Sequence, residues 1–181
     1  MTTQTAVRTW NIDASHSIAE FAVKHMMVST VKGRFATLKG AIQVDDENPL
    51  LSAVAATIDV ASITTNDEAR DAHLRSDDFF NAEKFPEIIF VSKRVERVDA
   101  ENYRVVGDLT IRDVTKEVVL DTEFEGQVHD PYGNERAGFT ATTQINRSDF
   151  GVSFNGLLET GGVIVSDKVK ITLHVELIQQ K

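Results

Sequence analysis

The chain has 181 residues, of which 41% are hydrophobic and 26% charged, and this balance predicts one globular domain with a core of ordinary size. The formal net charge of −9 argues against a nucleic-acid partner and against simple adsorption to an anionic lipid surface, because both carry negative charge. The absence of cysteine excludes disulfide and thiolate chemistry.

The N-terminal residues lack the apolar segment of a secretory signal, and no apolar run in the sequence is long enough to cross a bilayer. We therefore expect a cytoplasmic protein without stable membrane insertion. No interdomain linker or internal repeat divides the chain, so we expect a single domain over residues 1–181 with a core from about residue 10 to residue 177.

The first part of the chain alternates apolar and polar residues with a period of two, which is typical of half-buried strands. Residues 17–25 predict a strand with Phe21, Val23 and His25 on its inner side. Residues 26–33 predict an irregular link. Further extended runs follow at residues 34–44 and from residue 51.

The stretch from Ile63 to Pro86 breaks this alternation with a concentration of charged residues and phenylalanines. Thr65 and Glu68 have the spacing of a capping box, which predicts a short helix beginning at Asn66. Pro86 marks the return to extended structure. A helical insertion of this composition predicts a lid.

The second half alternates more regularly, in runs at residues 103–111, 118–124, 139–145 and 165–177. Together with the first half this predicts about eight strands, one face buried and one solvated, which favours antiparallel pairing in a closed barrel. A barrel of this size holds either a side-chain core or one small ligand. Small inward residues such as Ala56, Ala141 and Thr143 leave space for a cavity, although they are also explained by a tapering, filled barrel.

Several motifs occur in a characteristic order: DASHS at 13–17, GRF at 33–35, RDAHLRS at 70–76, GDLTI at 107–111 and NRSDFGV at 146–152. As a set they resemble the YceI-like polyisoprenoid-binding family from about Trp10 to Leu177. The chain departs from the family pattern at the corner after Ile111, where Asp113 and Glu117 stand in place of a usual glycine and proline.

The resemblance implies an all-β, eight-stranded antiparallel lipocalin-like barrel with a short helical lid. It implies a protein that binds, sequesters or transports a long-chain isoprenoid or similar amphiphilic lipid in the barrel lumen, with no enzyme activity, cofactor or metal. Members are often dimeric, so we expect a homodimer.

The expected ligand contacts are inward-facing strand residues together with residues of the lid. Arg70 and His73 are candidates for a diphosphate or carboxylate head group, although helical pairs of His73 with Asp77 and of Asp71 with Arg75 explain the same charges. The expected ligand-binding residues are Phe21, Val23, His25, Ile58, Arg70, His73, Leu74, Phe79, Phe80, Leu109, Leu120, Phe124, Phe139, Ile145, Ile171 and Leu173.

Two other classes of function stay open. One is an enzyme that acts on a small substrate through a site built from His16, His25 and His73 with Asp13 and Asp71, although the sequence has none of the usual spacings for metal or nucleophile sites. The other is a stress-related interaction module with a filled barrel and an exposed apolar patch.

Overall fold

The structure is a computed structural model that describes residues 6–156 and 164–181. In these residues the only α-helix is α1 (Glu68–Arg75), and short 3₁₀ turns cover Pro49–Leu51, Val60–Ser62 and Arg147–Phe150. The strands are β1 (Val7–Ile12), β2 (Ile18–His25), β3 (Ser29–Phe35), β4 (Leu38–Asp45), β5 (Ala53–Asp59), β6 (Ile63–Thr64), β7 (Glu87–Arg97), β8 (Asn102–Ile111), β9 (Val114–His129), β10 (Glu135–Asn146) and β11 (Val165–Gln179).

Eight of these strands form a closed antiparallel barrel in the order β1-β4-β5-β7-β8-β9-β10-β11, with β11 pairing back to β1. Strand β11 pairs with β1 near its C-terminus, where Leu177 lies opposite Ile12, and with β2 nearer its start, where Leu173 lies opposite Ala19. Strands β1 and β2 therefore lie end to end along β11, and β3 and β6 extend the sheet beyond β2. The expected eight-stranded barrel with a short helix is confirmed.

The interior packs in two clusters, one at each end of the barrel. The larger cluster lies at the end covered by α1 and includes Phe35, Phe79 and Phe150. The smaller cluster lies at the other end, around Trp10 and Leu177. Residues of both clusters line the lumen.

One expectation for the first part of the chain is wrong, and one strand was not expected. Residues 26–33 are not an irregular link, because β3 begins at Ser29 and pairs with β2 in a tight hairpin. The hairpin turns at Met26 and Met27, whose φ angles are 50° and 62°. Such turns usually contain Asn-Gly. Two methionines at these positions do not indicate a turn, so the sequence did not predict the hairpin. Strand β1 is also missing from the strands we expected.

The expected capping box is wrong as well. Asp67 caps α1 by accepting from the backbone N–H of Arg70 at 3.0 Å. Thr65 lies in the interior instead, where its N–H and hydroxyl both donate to Asp71 Oδ1, at 2.8 and 2.6 Å. Arg70 Nε donates to the Thr65 hydroxyl at 2.7 Å. This buried network fixes α1 to the chain that enters it.

A second contact holds the segment after α1 in place. Arg112, in the β8–β9 turn, donates to the backbone carbonyls of Asp77 and Phe79 at 3.0 and 2.9 Å. Its guanidinium also lies 5.7 Å from the ring centre of Phe85. The first network therefore fixes α1 to the chain that enters it, and Arg112 fixes the segment after α1 to the barrel.

Replacing Asp71 with alanine tests the first attachment. The variant leaves the buried N–H of Thr65 without an acceptor, which we expect to cost about 2 kcal/mol of unfolding free energy. Relative to wild type, we also expect faster amide hydrogen exchange of the variant in residues 68–85, with little change in β9. Asp71→Asn keeps an acceptor oxygen and is the matched control, with a smaller effect on both measurements. Equal effects of the two variants would contradict this role of the carboxylate.

Candidate functional site

The barrel encloses a cavity of about 520 Å³ whose walls are almost entirely apolar. This volume falls in the range of about 300–1,000 Å³ that is typical of small-molecule sites. The cavity exists because inward positions of several strands carry small side chains, among them Ala56, Ala141 and Thr143. A filled lumen, which the interaction-module alternative required, is therefore not observed.

The two ends of the cavity differ in polarity. At one end Arg8 and Asp46 form a bidentate ion pair, with Arg8 Nε 2.8 and 2.7 Å from the two carboxylate oxygens. Ser52 and Gln127 complete this polar rim. At the other end the lumen is covered by apolar side chains of the lid.

Aromatic rings dominate the lid end. His73, Phe79 and Phe154 pack edge to face around one another, with ring centres 5.0–5.3 Å apart. Phe80 packs in the same way against Phe35 of β3, at 5.7 Å. Aromatic pairs of this geometry add to the stabilisation that burial alone provides, so the lid closes over the lumen as a packed layer.

Most of the residues expected to contact a ligand line this cavity. Strand and lid residues come together as the alternation predicted, with odd positions of β8 and β11 and even positions of β5 and β9 facing inward. The expected residues that line the cavity are Phe21, Val23, Ile58, Leu74, Phe79, Phe80, Leu109, Leu120, Phe124, Phe139, Ile145, Ile171 and Leu173.

The structure places three expected residues outside the cavity lining. His25 lies at the end of β2, opposite Val165. The guanidinium of Arg70 is engaged by Thr65. The His73 imidazole lies 2.7 Å from Asp78. His25 therefore does not line the cavity, although the alternation placed it on the inward face of β2. Arg70 and His73 lie in the lid, as expected, with partners that are local to the lid, and their contact with a ligand head group stays a prediction.

Several cavity residues were not among those expected. They come mainly from β1, β4 and β7, where the runs of alternation are short or both faces are apolar. Trp10 and Ile12 are separated by one residue, which was the available signal for β1. The principal additions are Trp10, Ile12, Leu38, Ile42, Val44, Ile88 and Phe90.

Arg147 is a charged side chain in the wall near the lid, and only 7% of its surface is exposed. Burial lowers the pKa of its guanidinium. Its N–H groups donate to the backbone carbonyls of Val152 and Phe154 at 2.8 and 2.9 Å and of Ser166 at 3.0 Å. Arg147 therefore holds together the two segments of chain that flank residues 157–163.

A polar cluster on the outside of the barrel is the one group of potential metal ligands found among the described residues. It consists of Asp13, His16 and Glu176, whose ligand atoms lie within 4.8 Å of one another. Arg136 Nη1 already occupies this position, 2.9 Å from Asp13 and 2.7 Å from Glu176, and its Nε lies 2.6 Å from Asp130. The Arg136 guanidinium therefore balances the charge of these carboxylates where a metal ion would otherwise bind.

Hydrogen bonds within and beside this cluster shift the pKa values of its members. Hydrogen bonds from Ser15 and His16 hold the pKa of Asp13 well below its ordinary range. The Arg136 guanidinium does the same for the pKa of Asp130. In return, Asp13 raises the pKa of His16. The histidines of the enzyme hypothesis do not assemble here, since His73 lies in the lid and His25 at the β2–β3 hairpin.

Residues 10–177 match the sequence profile of the YceI-like domain. The chain belongs to the YceI-like family. A UPF0312 protein of Staphylococcus aureus is 42% identical over 168 residues, which cover 92% of this chain and 95% of that protein. The sequence resemblance is thereby confirmed.

Solved structures of YceI-like proteins have the same barrel. The crystal structure of a Campylobacter jejuni YceI protein matches with a TM-score of 0.75 and 34% identity, over 87% of this chain and 90% of that chain. A polyisoprenoid-binding domain from Saccharophagus degradans matches with a TM-score of 0.73, over 94% of this chain and 98% of that domain. Its identity is 14%, so this second likeness concerns the fold alone. Within residues 6–156 and 164–181, no helix has the length and apolar character needed to cross a membrane.

Replacing Arg136 with methionine tests the cluster on this YceI-like barrel. Carboxylates whose folded pKa is lowered stabilise the fold above their ordinary pKa of 3.8, and this contribution is lost as the pH falls toward the lower folded value. We expect Arg136→Met to lower Tm at pH 7, and the difference from wild type to shrink below about pH 4, where the carboxylates of the unfolded chain become protonated while those of the folded wild type stay ionised. Arg94→Met, which removes an exposed arginine paired with Glu96 on the same strand, is the control. A loss of Tm that does not change with pH would contradict the account.

Proposed function

We propose that this protein binds a long-chain isoprenoid, or an amphiphilic lipid with a comparable chain, in the barrel lumen, and that it acts as a carrier or reservoir and not as an enzyme. The observation that carries the proposal is the apolar cavity itself, which runs from the Arg8–Asp46 rim to the aromatic lid. Membership of the YceI-like family agrees with this proposal, and the fold that the chain shares with a polyisoprenoid-binding domain is compatible with it.

The chemistry of the walls selects the cargo. An apolar lumen has few partners for polar groups, so a ligand gains affinity mainly from hydrocarbon removed from water. Each isoprene unit contributes on the order of 3 kcal/mol before the costs of ordering the chain. A few units are therefore enough for tight binding.

A hydrocarbon chain in the lumen would contact the residues that line the cavity. We propose that the cavity-lining residues named above contact the hydrocarbon chain, together with Trp10, Ile42 and Phe90, which the sequence did not point to. Phe79 and Phe80 then contribute both to closing the lid and to holding the chain. The homodimer and the cytoplasmic location expected from the sequence stay predictions.

The single tryptophan of the chain provides a direct test. Trp10 is buried and lines the cavity, so a dansyl-tagged geranylgeraniol bound in the lumen should accept energy from it. We expect saturable transfer, and competition by untagged isoprenoids and by long-chain fatty amides. An absence of transfer and of competition would contradict lumen binding.

Two neighbouring alanines of β5 supply a matched pair of variants. Ala56 faces the lumen and Ala55 faces outward. Ala56→Phe adds a phenyl ring to the cavity and should weaken binding at least tenfold, because overlap with the bound chain removes several kcal/mol of hydrocarbon burial. Ala55→Phe should leave the affinity unchanged. Equal affinities of two folded variants would place the ligand outside the lumen.

A further inference from the structure

The β2–β3 hairpin at the lid end turns on residues that folding does not favour. Met26 and Met27 both have positive φ, and the Val28 N–H donates to the carbonyl of His25 at 3.2 Å, which closes a tight turn. Asn-Gly is the pair that such a turn prefers, because positive φ costs little at those residues. Two long apolar side chains at these positions therefore need a reason other than local stability.

The tip of this hairpin is also exposed. Met26, Met27 and Val28 are 43%, 63% and 85% exposed. Phe154, 43% exposed, belongs to the same end of the barrel. The link is a chain of backbone hydrogen bonds, in which the Met26 N–H donates to Ile164 at 2.7 Å and the Ile164 N–H donates to Gly156 at 3.0 Å.

The outer wall behind this tip is basic, although the protein as a whole carries a charge of −9. Lys170 of β11 and Lys32 of β3 lie on either side of Ala22 of β2, in one row across three strands. Lys24 and Lys168 stand on the same outer face, each two residues closer to the tip. Among the described residues, no carboxylate lies within ion-pair distance of these four lysines.

Two acids near the patch, Glu20 and Asp167, have other partners. Glu20 lies 3.5 Å from His174 and opposite Arg34. Asp167 accepts hydrogen bonds from the backbone and hydroxyl of Ser148, at 2.9 and 2.8 Å. Much of the negative charge lies on other walls of the barrel, notably on the outward face of β9, where the exposed acids are Glu117, Asp121, Glu123 and Glu125.

We propose that the exposed tip Met26–Val28 and Phe154, together with the basic row Lys24, Lys32, Lys168 and Lys170, form a surface that docks this protein on an anionic lipid bilayer. Apolar side chains at the tip enter the interface while the lysines behind them meet lipid phosphates, the combination by which peripheral surfaces bind membranes. The proposal differs from the expectation drawn from the net charge, because the lysines are concentrated on one wall of the barrel and many of the acids lie on another. Docking sets the lid against the bilayer and leaves the Arg8–Asp46 rim toward water.

The inference goes beyond the proposed function, since docking requires no cargo. It is tested by flotation of the full chain with vesicles of phosphatidylglycerol and phosphatidylcholine, compared with vesicles of phosphatidylcholine alone. We expect binding to the anionic vesicles only, and release in about 0.5 M NaCl because salt screens the lysines. The Ala56→Phe variant should bind these vesicles as wild type does, which separates failure of docking from failure of lumen binding.

Two kinds of variant divide the surface. Met26→Asn with Met27→Gly restores the preferred turn, so the protein should be at least as stable as wild type, yet its partition onto the vesicles should fall about tenfold. Lys32→Gln and Lys170→Gln should each lower partition about fivefold, as expected for one basic residue near an anionic surface.

The matched controls lie elsewhere on the barrel. Val128→Asn removes an apolar side chain that is 63% exposed, as Met27 is, but that lies opposite Arg136 at the other end of the barrel. Arg104→Gln removes an exposed cation from β8. Neither should change flotation. The proposal is overturned if wild type does not bind anionic vesicles, or if the controls weaken binding as much as the tip variants. It is also overturned if the tip variants change only the oligomeric state in sedimentation. That result would make this surface an interface between copies of the chain.

Discussion

The structure depends on the way β11 pairs with two strands in succession, β1 at one end and β2 at the other. The break between β1 and β2 is bonded to β11 at one residue, Glu176, whose N–H donates to the Ser17 hydroxyl at 3.0 Å and whose carbonyl accepts from the Asp13 N–H at 2.8 Å. Arg136 adds ion pairs around the same corner. Because these contacts close the sheet, the barrel has a lumen that is separated from water along its length.

A closed barrel of eight strands is often filled by its own side chains, and this one is not. Its bulky rings fall into two groups, one around Phe79 at the lid end and one around Trp10 at the other end, whereas small residues such as Ala56 and Ala141 occupy other inward positions of the wall. The lid is held by Asp71 at one end and by Arg112 at the other. Opening it requires the loss of a few specific polar contacts and of the aromatic layer around Phe79, while the barrel itself stays intact.

Much of this architecture can be predicted from the sequence, because residues that alternate with a period of two leave little freedom in which side faces inward. The long strands β8 to β11 were predicted with the correct inner faces for that reason. The hairpin at Met26 and Met27 was not, since its residues are not those the turn prefers, and the capping of α1 was misassigned because Thr65 is drawn into the interior by Asp71. The positions of Arg70 and His73 depend on side-chain partners that spacing alone does not specify.

The central claim is that the lumen holds a long-chain lipid. Native mass spectrometry of freshly purified protein, followed by organic extraction and identification of whatever is released, tests it most directly. The account predicts an excess mass that corresponds to one long-chain lipid per barrel, or its stoichiometric uptake when an isoprenoid is added to stripped protein. A mass equal to that of the polypeptide alone, unchanged after exposure to polyprenyl diphosphates and long-chain amides, would contradict it.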